Sequence, residues 1–587
     1  MDFKKYVAKK IHEVTDLSLK DIESLIEIPP DSKLGDYAFP CFVLSKKLKQ
    51  SPSNIAISLK DELTKKNIEE DHKYFELIIN NGPYVNFFVN KKFFMESILK
   101  EIINKKQDFG KKEKNNQIVL IESPGPNTNK PLHLGHLRNI LLGQSLANIL
   151  RVNGYEVYIV NIINDRGVHI CKSMLAYKKL GSNDSPEVSN LKPDHFVGKY
   201  YVKYSELEKS DPSAEEEVRE MLRKWEANDE ETVSLWRKMN NWALQGFYET
   251  YKKLDFTIDK EYYESEIYLK GKEIIYDGLK KGLFRENETG IIVDLEHLGL
   301  GKKVLLRKDG TSVYITQDIY LAFKRYNDFK FNKMYYVVGN EQEHHFKVLF
   351  EVFKILGWNF YSDCFHFSYG MVELPEGKMK SREGNVIDTD DLIEKVNSLA
   401  LQELKKRYPE LNLNELNKRA YNIALSAIRF FFLKYDPVKN FVFNINESLS
   451  FEGETGPYIQ YCNARINSIF KKAGYNLSEF ERKIVSNTVH FLNKHIEFLN
   501  TDIEFELVKI LSKYPEILYK AANEMKPSLL CRYLLDLSQK FNEFYHNNAV
   551  ISENHELMNA RLLLIYSVQN ILKSGMNILN IVPIEEM

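Results

Sequence analysis

The chain has 587 residues, too many for one hydrophobic core, and at ~150 residues per domain this predicts three or four domains. Hydrophobic residues make up 43% and charged residues 28%, which excludes a disordered chain. The formal net charge of −1 excludes a global field that would draw the molecule to a polyanion, so any nucleic-acid contact must use local patches.

The opening MDFKKYVAKKIHEVTDLSLKDIE mixes lysines with acids and has no long apolar core, unlike a secretory signal, and reads as a helix of the mature fold. Residues 1–107 continue with the turn-like PPDSKLGDYAFP and the alternating FELIINNGPYVNFFVN, split by a Gly-Pro turn, and form a small α+β module. A polar linker, DFGKKEKNNQ, follows. Residues 116–395 then read as a Rossmann-like α/β domain with a parallel sheet. The apolar run IVLIE leads through a Pro/Gly/Asn loop to the helical HLRNILLGQSLANIL and on to a second run, YEVYIVNII. Further runs come at KMYYVVG and FHFSYGMVEL, and the polar stretch at about 180–260 reads as a helical insertion. Strand signals vanish after about 395, so residues 396–587 are expected to be an all-α bundle. No apolar run approaches the ~18 residues of a membrane span. The cysteines, Cys41, Cys171, Cys364, Cys462 and Cys531, lie far apart with no CxxC pair, which predicts neither disulfides nor zinc and suits a reducing, cytoplasmic location.

In NKPLHLGHLRN, Lys130, His133 and His136 surround Gly135 where the loop after the first parallel strand meets its helix. Open parallel sheets bind ligands at the carboxyl ends of their strands, and a helix N-terminus there offers free N–H groups to an anion, so a phosphate is the expected guest. Gly135 leaves room for backbone to approach a flat ring or a phosphate, and imidazoles can donate hydrogen bonds to oxygens as charge builds in a transition state. The same histidines also suit plain helix capping, and an isolated HxGH does not decide between the two. No cysteine or nearby carboxylate completes an i,i+3 histidine site, so no protein-bound metal is expected.

A second element, GMVELPEGKMKSREGNVI, carries Lys378, Lys380 and Arg382 on a Gly-flanked stretch that suits a phosphate clamp or, equally, a solvated basic turn. Together HLGH and KMKSR resemble the HIGH and KMSKS signatures of class I aminoacyl-tRNA synthetases. The amino acid is suggested by acids and amides. Arginine is a planar, permanently charged fork of donors, and its pocket needs carboxylates and amide oxygens. Glu122 and Asn127 in ESPGPN, Tyr314 and Asp318 in YITQD, and Gln342 after YYVVG supply them and resemble the arginine-binding positions of arginyl-tRNA synthetases. By chemistry alone Asp318 is assigned to the guanidinium, since a bidentate pair there rejects lysine.

That resemblance runs on through NDRGVHICKSMLAY, DHFVGKYYVKY, EGETGPYIQYCNARINSIF and RLLLIYSVQNILKSGMNILNIVPIEEM, and only the insertion is loosely matched. It implies activation of L-arginine by ATP to arginyl-adenylate, transfer to tRNA(Arg), and a need for bound tRNA in the first step. It implies catalytic roles for Lys130, His133, His136 and Lys378, and contacts to ATP with its Mg2+ from Gly135, His136, Gly339, Glu341, Met371, Val372 and Lys378. Ser381 stands where KMSKS has its second lysine and Lys380 precedes it. The substitute the family suggests is a lysine just before HIGH, here Lys130.

Tyr458, Tyr461 and Arg465 share one helical stripe beside an apolar stripe of Ile459, Cys462, Ile466 and Ile469. Spacing alone fits either base-stacking tyrosines or core ones. Resemblance to the family's anticodon-binding bundle implies that this segment, Tyr545 and Met587 contact tRNA. NNGPYVNFF resembles the family's N-terminal domain, which implies D-loop contacts from Asn81, Tyr84 and Asn86, although a plain hairpin turn fits the same letters. Adjacent His344 and His345 are read as structural. A silent RNA-binding relative is expected to have lost HLGH or Lys378, which are present. A glutamate or glutamine enzyme would want a cationic pocket instead of Glu122 and Asp318. The expected form is a monomer without membrane attachment.

Overall fold

The computed structural model describes residues 3–65, 73–181, 183–373 and 388–587, so Lys378, Lys380 and Arg382 lie outside the described residues. The chain forms two compact units that interleave along the sequence. One comprises Met1–Phe109, Arg465–Tyr514 and Leu537–Lys573, and the other Gly110–Ala464, Pro515–Asp536 and Ser574–Met587.

In the first unit, β1 (Tyr37–Pro40), β2 (Phe75–Asn81) and β3 (Tyr84–Val89) form an antiparallel sheet in the order β1-β3-β2. β2 and β3 are the predicted hairpin, with Asn81 opposite Tyr84 across the Gly-Pro turn. The helix Lys91–Lys105 follows, capped by Asn90, whose side chain accepts the Phe93 N–H at 3.0 Å. Its buried Phe94 meets Phe505 of the helix Asp502–Ser512 at 5.6 Å, so the N-terminal module shares a core with helices far along the chain.

In the second unit, β4 (Ile118–Glu122), β5 (Glu156–Ile163), β6 (Lys260–Tyr263), β10 (Lys333–Gly339) and β11 (Cys364–Tyr369) form a parallel sheet in the order β11-β10-β4-β5-β6. Val119, Leu120 and Ile121 are fully buried, as an apolar run enclosed on both faces should be. The chain leaves β4 toward β5 on one side and returns to β10 on the other, which makes the β4/β10 junction the topological switch point. The helix α1 (Leu134–Val152) joins β4 to β5. The helices α4 (Tyr314–Phe329) and α5 (Glu343–Ile355) flank β10 in sequence, and Leu120, Val160, Ile315, Ile319, Met334 and Val348 share one core.

The insertion is helical as expected, with α2 (Pro193–Ser210) and α3 (Glu230–Lys253) packed around Tyr177, Phe196 and Trp242. Several features depart from the sequence reading: β1 lies inside the stretch read as turn-like, and β6 joins the parallel sheet where no strand was predicted. Arg285–Arg307 carries a three-stranded antiparallel meander, β7 (Arg285–Asn287), β8 (Gly290–Leu295) and β9 (Gly301–Arg307), where no strands were predicted. Past residue 395, where no strand was expected, β13 (Phe441–Val442) pairs in parallel with β12 (Val372–Glu373). The remaining described C-terminal residues form helices and their connections, including α6 (Thr389–Arg407) and α7 (Leu413–Leu433).

Candidate active site

The loop after β4 is pinned over the end of β5. Asn161 Oδ1 accepts the Gly125 N–H at 2.9 Å, and the Asn164 carbonyl accepts the Thr128 N–H at 3.2 Å. This delivers HLGH to the switch point. There His133 is the N-cap of α1, its Nδ1 accepting the Gly135 N–H at 3.1 Å, while His136 Nδ1 accepts the His133 N–H at 3.1 Å. The result is a capping box built from two imidazoles, with ring centroids 4.0 Å apart. A Cβ at Gly135 would lie 2.9 Å from His133 Cε1, so the flat ring that this glycine admits is the one two residues before it.

Because each Nδ1 accepts a backbone N–H, each neutral ring carries its proton on Nε2, as a donor. Burial, reinforced by Lys130, pushes the His133 imidazole down to about 4. Burial, with His133 and Lys130 beside it, holds His136 well below the ordinary value. Burial also lowers the Lys130 ammonium. The site therefore offers two neutral donors, one cation and the positive end of a helix dipole.

The acids stand across the switch point. Glu122 ends β4 opposite Tyr336 of β10, and its Oε2 accepts a hydrogen bond from the buried guanidinium of Arg325. Asp318 and Arg325 lie seven residues apart on α4, close to two full turns, and so share a face. Asp318 Oδ2 is 2.8 Å from His345 Nε2. The Tyr336 hydroxyl is pushed well above its ordinary value, first by burial and also by Cys364, Glu122 and Asp318, against Arg325. Tyr314, Asn127 and Gln342 are exposed. Gly339 ends β10, and Glu341 folds back so that a Cβ there would sit 2.5 Å from its carboxylate. Glu122 is thus already matched by an internal cation, and Asp318 is the more available acid. His345, read as structural, bears directly on Asp318; adjacent histidines gave no hint of this, because the partner sits on another helix.

Arg138 was missed altogether. It is buried two residues beyond HLGH, and its guanidinium donates to the carbonyls of Gly370, Met371 (3.2 Å), Pro437 (2.9 Å) and Lys439 (2.8 Å) while lying 4.8 Å from the Phe441 ring. It ties α1 to the segment that holds Met371, exposed, and Val372, buried. An arginine inside an apolar helix was the available signal.

On the expected RNA-facing elements, Ile459, Cys462, Ile466 and Ile469 are buried, and Tyr458, Tyr461 and Arg465 lie half-buried on the other face of the helix Gly456–Lys472. Arg465 donates to Asn542 Oδ1 at 2.6 Å and lies 5.3 Å from the Tyr545 ring. Met587 packs on the cluster of Leu404, Leu416 and Ile584. In the hairpin Asn81 is exposed and Tyr84 half-buried. Asn86 departs from the expected outward contact: its side chain is buried, and its amide donates to the Leu34 carbonyl at 2.5 Å.

Three family models cover the chain: the class I (R) tRNA synthetase catalytic domain over residues 98–445, the DALR anticodon-binding domain over 459–587, and the arginyl-tRNA synthetase N-terminal domain over 1–89. An arginine–tRNA ligase of Treponema denticola is 45% identical over 567 residues, 96% of this chain and 94% of the relative. One of Borrelia duttonii is 42% identical over 100% of this chain and 99% of its own. The solved arginyl-tRNA synthetase of Thermus thermophilus superposes with a TM-score of 0.80 at 26% identity, covering 100% of both chains. A parallel sheet with a histidine-capped helix at its switch point and matches of this identity along the whole length lead to one conclusion: the chain belongs to the arginyl-tRNA synthetase family of class I.

Proposed function

We infer that the chain is an arginine–tRNA ligase, activating L-arginine with ATP and passing it to tRNA(Arg). The observation that carries the mechanism is the imidazole capping box at the switch point. The arginine carboxylate attacks the α-phosphorus of ATP. An O–P bond forms, the bond to the pyrophosphate bridge breaks, and pyrophosphate leaves. Negative charge grows on the α-phosphate oxygens, and the Nε2–H groups of His133 and His136 donate to them, with the N-terminus of α1 adding its dipole. Neutral donors suit the task because they need no change of protonation between ground and transition states. Lys130 and Lys378 act on the leaving pyrophosphate, and magnesium comes with ATP as part of the substrate. In the second step a terminal ribose hydroxyl of tRNA attacks the carbonyl carbon and AMP leaves.

Asp318 receives the guanidinium, with Tyr314, Asn127 and Gln342 around the substrate. Glu122 contributes less, being paired with Arg325. Gly135, Gly339, Glu341, Met371 and Val372 line the ATP side. On the RNA side Asn81 and Tyr84 contact the D-loop, with Asn86 supporting the turn behind them. Tyr458, Tyr461, Arg465, Tyr545 and Met587 serve the anticodon. Tasks divide along the sequence as 1–107 for the D-loop, 116–395 for catalysis and 396–587 for the anticodon. The five cysteines are all free and buried, which suits the cytoplasm, and no described helix is long and apolar enough to cross a membrane. The working form is a monomer.

Charging of purified tRNA with each of the twenty amino acids, with and without ATP, tests this reading. Arginine alone should be attached, and only with ATP. Attachment of glutamate or glutamine, or none at all, would overturn it.

A further inference from the structure

The insertion helix α2 carries a charge lattice that the mechanism above does not use. Lys192 Nζ lies 2.7 Å from Asp390 Oδ2, 3.1 Å from Asp194 Oδ2 and 2.6 Å from Thr250 Oγ1. Lys253 of α3 lies 2.7 Å from Asp390 Oδ1 and 3.9 Å from the exposed Glu394. His195 Nε2 lies 3.2 Å from Asp388 Oδ2 and 3.8 Å from Asp390 Oδ2. Asp194, Asp388 and Asp390 are buried among Lys192, Lys253 and His195, burial raises the Asp194 and Asp388 carboxyls above their ordinary value, and an imidazolium at His195 adds a third positive charge beside the three acids. Burial opposes that charge, but Asp390, Asp388 and Asp194 outweigh it and hold the imidazole above its ordinary value. Oxygen and nitrogen atoms of Asp194, His195 and Asp390 come within 4.8 Å of one another, a spacing a metal ion could use. Two ammonium groups already fill that role, and a divalent cation would meet them at contact distance.

The lattice ends on the active-site loop. The Thr389 N–H donates to the Leu132 carbonyl at 2.8 Å, and Asp388 forms a backbone bridge with His133. One turn further along α2, a Cβ at Gly198 would lie 2.7 Å from Pro131 Cδ and 3.7 Å from Lys130 Cα. Helix α2 therefore touches the Lys130–His133 backbone by two routes, one through charges and one through bare contact.

We propose that α2 is a brace for the HLGH loop, in which His195 acts through Asp388 as a positioning residue that sets the rate of adenylate formation without touching substrate. This rests on arginine activation at that crevice. A misplacement of about 1 Å in a catalytic group can cost up to about 100-fold in rate, while the acids that hold arginine stand on α4 and β4, outside the brace. The loss should therefore fall on turnover and not on arginine binding.

The test is arginine-dependent ATP–pyrophosphate exchange by the full chain with tRNA present. His195→Asn should lower kcat roughly 10-fold or more with KM for arginine within about twofold of the unmodified value. Gly198→Ala should give the same split. The unmodified enzyme should lose turnover as pH rises and the imidazolium is deprotonated, and that alkaline limb should be missing from His195→Asn. An unmodified kcat per folded molecule in Gly198→Ala, or an alkaline limb unchanged by His195→Asn, would overturn the brace. Should His195→Asn fail to fold, Gly198→Ala decides alone. Absence of arginine-dependent exchange in the unmodified chain would instead overturn the functional reading.

Discussion

Arg138 shows how one side chain can organise an active site without taking part in its chemistry. Its guanidinium is buried, with no carboxylate among its hydrogen-bond partners in the described residues, and donates from its two terminal nitrogens to four carbonyls beside an aromatic face, so burial drops its pKa to about 10 while leaving it charged. Hydrogen bonds from a charged donor contribute about 1.5–3 kcal/mol each, and buried carbonyls left without a donor add a desolvation cost. Arg138→Met should therefore lower stability by roughly 3 kcal/mol or more, read as a shift in the urea midpoint with an unchanged slope. A shift below about 1 kcal/mol would show that the carbonyls find other partners. Asp318 and Glu122 teach a related lesson about reading residues from a sequence. The motifs of Asp318 and Glu122 suggest an arginine pocket but do not show the partner each acid already has. Arg325 and His345 reach them from elements that only the fold brings near.

At the level of elements, the capping box of α1 links histidine protonation to folding. Both imidazoles titrate lower in the fold than the ordinary 6.5, His133 at about 4. The folded state therefore binds fewer protons than the unfolded one, and stability is complete above about pH 6.5 and drains as pH falls toward about 4. Melting temperatures taken across that window should fall less steeply for His133→Asn, which keeps an N-cap and removes one titrating group, than for the unmodified chain. Equal slopes would mean that His133 is solvated and protonated in the fold. Elements were legible in the sequence to the degree that their surroundings were uniform. β4 and β10 lie in the interior of the parallel sheet and read as unbroken apolar runs, and their observed limits match IVLIE and KMYYVVG. β7 to β9 did not, because β7 is exposed throughout and β9 mixes exposed, half-buried and buried positions without a regular alternation, which leaves the buried β8 between two segments that read as polar turns. The lattice on α2 was invisible for another reason: its acids and bases come from three helices far apart in sequence.

At the level of the molecule, the order of regions along the chain and the division by packing are different things. Composition placed a module, a sheet domain and a helical region in sequence, and family models match in that order. Packing divides the chain differently: Phe94 and Phe505 share a core, as do Met587 and Leu416, because apolar helix faces bury against whichever surface is near. The proposed mechanism assigns the imidazoles to the α-phosphate and Asp318 to the substrate guanidinium. Exchange of pyrophosphate into ATP, measured over a range of arginine concentrations with tRNA present, tests it most directly. His136→Ala should lower kcat about 100-fold with little change in KM for arginine, as expected for a lost transition-state donor. Asp318→Ala should raise that KM roughly 100-fold through loss of a charge-assisted pair worth about 3 kcal/mol. Unmodified turnover in His136→Ala, or an unmodified arginine KM in Asp318→Ala, would contradict the account.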